Sequence, residues 1–377
     1  MSSNITGFEV VASGTIYRTD SGLQGYYPRI VRLDKKEFAA SFVAGTALET
    51  PDSHPALSRS QDGGVTWEFQ GPIDVNRPKE FPPAETGFIS RDSNGTLLCL
   101  GGRFLIDPEQ PDQPLVNPKT LGMRENQIVF RRSNDGGRSW TEPRIIPKPI
   151  PVPLELPTGI LALKDNTHLL SFSAWREWDG SCPFGHQIFL AKSIDGCLTW
   201  GKPISIFYDP TDKVGFWEGR ITMLTERVMI ATCWAHQWEP DQDLPNRFAL
   251  SYDQGDSWTK SSASPVNGQT GWPLSLGGNK ILFVYNYRQK PPGIRAQIAL
   301  VEAGGNPGWT TIFDDQVWSP ENQRIDAITK DHYGVEDFQF GAPSAFRLDE
   351  KNIMVVYWCV EHKRAGINWT IISLVEG

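Results

Sequence analysis

The chain has little cysteine, little histidine and no surplus of positive charge. Its five cysteines (Cys99, Cys182, Cys197, Cys233, Cys359) are odd in number and form no Cys-X-X-Cys pair. A disulfide framework or a zinc ribbon is therefore not expected, and a reduced, cytoplasmic setting is. Cys99, Cys233 and Cys359 sit inside apolar runs, where a thiol behaves as a small hydrophobe. The six histidines are isolated and no His-Glu-X-X-His occurs, so no metal site is read. Gly-X-Gly-X-X-Gly after a strand, the phosphate-binding Gly-rich loop and Gly-X-Ser-X-Gly are all missing, and no cofactor is implied. Lys and Arg number 36 against 44 Asp and Glu, a net charge of −8, without a basic stripe to track a phosphate backbone. Nucleic acid is not an expected partner. No apolar run approaches the ~18 residues of a membrane span, and MSSNITGFEV lacks the charged-then-apolar order of an export signal. Helical periodicity is almost absent.

What is present is a repeat. SQDGGVTW (60–67), SNDGGRSW (133–140), SIDGCLTW (193–200) and SYDQGDSW (251–258) share one pattern, and Asp62, Asp135, Asp195 and Asp253 are 73, 60 and 58 residues apart. Asp and Ser side chains fold back onto nearby N–H groups, Gly supplies positive φ, and the Trp buries its ring on the sheet, so each copy reads as a hairpin turn. Calcium is not implied, because oxygen ligands at alternate positions and a closing Glu are missing from all four copies.

A second element recurs upstream of these turns: strand, short polar turn, strand, with period-two alternation. It starts near Pro28, Gly87, Gly159, Gly219, Gly271 and Pro343. Six starts predict a single all-β domain over 1–377, a six-bladed β-propeller with the aspartate turns as hairpins. The sixth unit lacks an outer strand, and residues 7–17 are expected to supply it and close the ring, which removes open sheet edges. The Pro-rich stretch 148–157 reads as a stiff connection between the second and third blades.

Several aspartate-box turns in a six-unit β chain resemble the sialidase (neuraminidase) superfamily. The resemblance implies an exo-glycosidase that removes a terminal, carboxylate-bearing sugar from a glycan. Residue by residue, it makes Arg29 and Arg295 a carboxylate clamp, since a guanidinium offers parallel charge-assisted hydrogen bonds. Asp52, ten residues before Asp62, becomes the acid/base, His54 its neighbour, and Glu218 the partner carboxylate. The nucleophilic Tyr that opens the family's sixth inner strand corresponds to Pro343 here; Tyr333, with Glu336 or Asp337 beside it, is the substitute candidate, and Tyr26, Tyr27, Tyr285 and Tyr287 compete for the role. Two further family arginines are missing, one in the run 47–51 and one where Cys233 to His236 stand.

The ends of the second strands carry Arg103, Arg176, His236, Arg288 and His362, which read together as a cationic rim for an acidic sugar. Trp175, Trp178, Trp234, Trp238 and Trp272 lie nearby as candidate sugar walls. Two other readings stand beside hydrolysis. One is a lyase or another glycosidase acting on uronic-acid residues; the other is a propeller that binds sugar without chemistry.

Overall fold

The computed structural model describes residues 4–20, 22–76, 82–110, 113–320 and 338–377. Among them there is no helix, and the strands form six antiparallel sheets arranged as a six-bladed β-propeller. Blades one to five begin with inner strands at Gln24–Arg32, Ala84–Glu85 with Phe88–Arg91, Leu154–Glu155 with Leu161–Ala162, Val214–Met223, and Gly271–Gly277. The sixth is ordered Phe340–Arg347, Asn352–Glu361, Arg364–Glu376, and then the N-terminal strand Ile5–Tyr17, which pairs antiparallel from Ile5 with Glu376 to Tyr17 with Ile367. First and last strands thus share one sheet.

The core lies between blades. Each adjacent pair encloses its own apolar cluster, for example Leu57 and Ala39 against Ile89 and Leu97 between blades one and two. Phe42 and Ala40 against Met354 and Val356 fill the junction of blades one and six. Alternation explains this, because both faces of every blade except the outer rim meet a neighbour. Cys99, Cys197, Cys233 and Cys359 are buried and all five cysteines are free thiols.

The four signature turns share one hydrogen-bond pattern. In the first, Ser60 Oγ donates to Asp62 Oδ1 (2.9 Å) and accepts from Gly64 N–H (2.9 Å), while Thr66 donates its N–H (3.0 Å) and Oγ1–H (2.6 Å) to the Asp62 carboxylate. Donors converging on the charged form hold Asp62 and Asp135 down at about 2. These aspartates are committed to their own turns.

Five of the six Gly and Pro residues that mark the repeat lie inside or between inner-strand segments rather than at a strand start. Pro28, Gly219 and Pro343 fall in register shifts between Tyr26 and Arg29, Trp217 and Arg220, and Gly341 and Ser344. Gly87 and Gly159 fall in the gaps of the divided strands of blades two and three. A bulge suits residues with no N–H to donate or no Cβ to place. At Gly219 a Cβ would stand 2.6 Å from Ile188 Cγ2. The bulges re-aim the side chains beside them.

Candidate active site

Those bulges build the site. Tyr27 and Glu218, each just before its bulge residue, have φ of 54° and 57°, and Glu49 on the adjacent loop has 55°. Left-handed backbone at a non-glycine residue costs on the order of 1–3 kcal/mol and clusters at functional positions. All three residues line one cavity of about 120 Å³, far above the ~10–15 Å³ that seats a water. Glu85, Asn126, Glu155 and Arg220 also line it, together with the apolar Phe104, Leu115, Val116 and Met123.

Two hydrogen-bonded groups organise the polar side. Tyr27 Oη donates to Glu49 Oε1 at 2.8 Å. Burial, and then the Glu49 carboxylate, raise the Tyr27 phenol well above its ordinary value. The second group joins blades three and four: Glu155 Oε2 accepts from Ser173 Oγ (2.6 Å) and from the Glu218 backbone N–H (3.0 Å). Arg220 Nη2 pairs with Glu218 Oε2 at 2.5 Å. Burial and the Glu218 charge push the Glu155 carboxyl up to about 7. Two neighbouring carboxyls are therefore differentiated, one disposed to hold its proton near neutrality and one ion-paired with a guanidinium.

Behind the cavity a buried network holds the wall. Glu85, 3% exposed, accepts from Arg103 on Oε1 (2.5 Å) and from Arg131 on Oε2 (2.8 Å), and Arg131 also reaches Asp74 (2.9 Å).

Of the sequence-derived site residues, Glu218 and two of the competing tyrosines, Tyr26 and Tyr27, line this cavity. Arg29 is a hub tie rather than a clamp in reach of a ligand: it is buried, donates to the Pro28 and Pro157 carbonyls (2.6 Å each), and lies between the Phe88 and Trp272 rings at 5.1 and 4.9 Å. Blades two and five face each other across the ring, so a guanidinium touching both stands on the axis. Burial, then the Arg220 charge, lower its pKa well below the usual arginine value. Asp52 accepts from Thr46 N–H (3.0 Å) and Oγ1–H (3.0 Å), and its carbonyl faces His54 Nδ1 at 3.0 Å. Arg295 is on the third strand of blade five, forked onto Asp314 at 3.0 and 2.8 Å. Arg288 donates to Gln269 and the Phe340 carbonyl (2.7 Å each), and Arg103 is held by Glu85.

Arg176 donates to His186 Nε2 (2.8 Å) and covers the Trp238 ring at 5.0 Å. His236 bridges Asp243 (2.9 Å) and Asp241 (2.8 Å); burial opposes its charge, but those two carboxylates leave its pKa raised. Trp175, Trp217, Trp234 and Trp238 pack around these histidines. Tyr333, Glu336 and Asp337 lie outside the described residues.

Glu49, Glu155 and Arg220 escaped the sequence reading. Glu49 stands in the run noted for its missing arginine, and Glu155 is the one acid in the Pro-rich connection. Arg220, two residues beyond Glu218, had the clearest signal, since a bulge between them turns both inward.

No family model and no curated protein matches the chain. Solved structures do. A protein of unknown function from Dyadobacter fermentans is 22% identical with a TM-score of 0.73, over 98% of this chain and 100% of that one. A sialidase from Streptococcus pneumoniae is 15% identical (TM-score 0.62; 96% and 70% covered), and a Penicillium chrysogenum α-L-arabinanase complexed with arabinobiose is 16% identical (0.61; 97% and 98%). The propeller is thus similar to those of glycoside hydrolases, and at these identities the likeness is one of fold.

Proposed function

We propose that this protein is a glycoside hydrolase whose Glu155 gives a proton to the leaving oxygen and whose Glu218 faces the charge that develops at the anomeric carbon. The observation that carries this is the Glu155–Glu218 neighbourhood. Retaining and inverting glycosidases alike use two carboxyls, one protonated and one ionised, and unequal environments assign the roles. Burial with an adjacent charge raises the Glu155 carboxyl to about 7, whereas Glu218 is paired with the Arg220 guanidinium. After bond cleavage the Glu155 carboxylate takes a proton from the incoming water, restoring the starting state.

The acid must be protonated to act, so kcat/KM is expected to hold below about pH 7 and fall as pH rises through that value. Glu155→Gln should lose about 10²–10⁴-fold in turnover of glycosides with poor leaving groups, and far less with a 2,4-dinitrophenyl leaving group that needs no proton. Glu218→Gln should fail on both. Equal losses on both substrates in Glu155→Gln would reject it as the acid. Sugar binding without any product from wild-type protein would favour a non-catalytic propeller.

A second reading rests on the Tyr27–Glu49 hydrogen bond. In a sialidase-like exo-glycosidase acting on an acidic terminal sugar, Tyr27 would attack the anomeric carbon and give its proton to Glu49 as the glycosidic bond breaks. The leaving oxygen would take a proton from Glu155, and water would then release the sugar from Tyr27. Tyr27→Phe separates the two: it abolishes turnover in this reading and only weakens it in the first.

A further inference from the structure

The carboxyl of Glu155 is held by one oxygen only. Glu155 stands opposite Ser173 in the short ladder between Leu154–Glu155 and the strand His168–Ala174 of blade three. Its Oε2 accepts from Ser173 Oγ at 2.6 Å and, across the junction with blade four, from Glu218 N–H at 3.0 Å. Oε1 makes no hydrogen bond among the described residues and is not sealed. Glu155 lines the cavity, whereas Ser173 lies behind it, fully buried.

Both donors are fixed in that role. Oε2 is the one acceptor that the Ser173 hydroxyl has among the described residues, and a buried hydroxyl keeps its hydrogen bonded. Glu218 presents its N–H from left-handed backbone, φ 57°, and the next carbonyl, of Gly219, accepts from Ser171 Oγ at 3.2 Å. Ser171 and Ser173 are two residues apart and so share one face of their strand, one tying the bulge of blade four and the other the acid. A carboxyl oxygen has two lone pairs, and on Oε2 both meet donors. The oxygen left to carry a proton is Oε1.

Resting on the glycosidase reading, we propose that Ser173 is a positioning residue of the reaction: with the Glu218 amide it reserves Oε2 as an acceptor, so that the proton Glu155 delivers leaves from Oε1. As the glycosidic bond breaks, its electron pair goes to the leaving oxygen, which takes the Oε1 proton. The charge left on the carboxylate meets two donors already in place on Oε2. The groups acting on Glu155 are Glu218 and Arg220 of blade four and Tyr27 of blade one, and Glu49 and Glu85 share the lining. Burial and the Glu218 charge raise its pKa, while Ser173, the Glu218 amide and Arg220 oppose them. Loss of the Ser173 hydroxyl should therefore raise it further.

Ser173→Ala deletes one oxygen atom and leaves the Glu218 N–H in place. Protein carrying 13C at the glutamate side-chain carboxyl reads the proton without turnover, the Glu155 resonance being the one lost in Glu155→Gln. Its titration midpoint is expected at about 7 in wild type and about one pH unit higher in Ser173→Ala, as for a lost hydrogen bond to a charged group. On a phenyl glycoside that the wild type cleaves, the alkaline fall of kcat/KM should move up with it and the plateau should drop. The 2,4-dinitrophenyl glycoside of the same sugar should be turned over as before. Ser173→Thr, which keeps the hydroxyl, should restore both the midpoint and the plateau. A hydroxyl that accepted a proton from Oε2 would favour the protonated acid, so a midpoint that falls or stays in Ser173→Ala overturns the inference. Equal losses on both leaving groups also overturn it, since they mark a part in folding alone. A raised midpoint without cleavage of any glycoside by wild type keeps the proton on Oε1 and rejects the hydrolase.

Discussion

Asp62 and Asp135 differ from Glu155 in one physical respect: they are exposed, so the donors that favour the ionised form are not outweighed by burial and a neighbouring carboxylate. Their pKa near 2 lies below the ordinary 3.8, so the stability they contribute is complete above about 4 and lost as pH falls through 2. Thermal melts of wild type and Asp62→Asn should therefore differ at pH 6 and converge toward pH 2. Glu85 is a buried acid that serves two guanidiniums. Glu85→Gln removes the charge that compensates Arg131 and should cost about 3–5 kcal/mol, read as a lower denaturant midpoint, as expected when one partner of a buried pair is removed. Glu85 and Glu155 were not legible as special, because an isolated acid in an apolar or Pro-rich stretch has the same appearance whether it faces solvent or a hub.

At the scale of the element, the bulged inner strands and the excursion of blade two between Phe104 and Asn126, whose described part is tied to blade three by Met123 N–H to Arg176 O (3.0 Å), divide the labour. The bulge strains Tyr27 and Glu218 into the cavity; the excursion adds Leu115, Val116 and Met123 to its lining. Gly122 sets this tie, since a Cβ there would overlap the Glu177 carbonyl of blade three. Gly122→Ala should detach 113–123 from blade three, raise KM more than it lowers kcat, and speed amide exchange at Met123, whose N–H is bound to Arg176 O. The strand-turn-strand units could be read from alternation and the repeated turn. The recurring Gly and Pro point to inner strands that start there, whereas in five of six blades those residues lie inside or between the inner-strand segments, because a missing N–H or Cβ suits a bulge as well as a boundary.

For the whole molecule, stability depends on closure. The N-terminal strand buries Ile5 and Phe8 against blades five and six, and Ile16 and Tyr17 against blades six and one. Four buried side chains at about 1.5–3 kcal/mol each are worth roughly 6–12 kcal/mol as an upper bound, comparable to the net stability of a domain. A chain beginning at residue 18 should lose its cooperative melt and aggregate through the opened sixth blade, and adding back a peptide of residues 4–17 should restore the transition. The sequence alone determined the all-β class, the count of six units and the closing strand, because alternation and turn chemistry are local and repeat along the chain. The tertiary structure alone decided which acids meet and which arginines are spent. The hub joins side chains from four blades, and no local pattern records that Arg29 would stack across the axis while Glu155, from a connection, would come to rest on the backbone of Glu218.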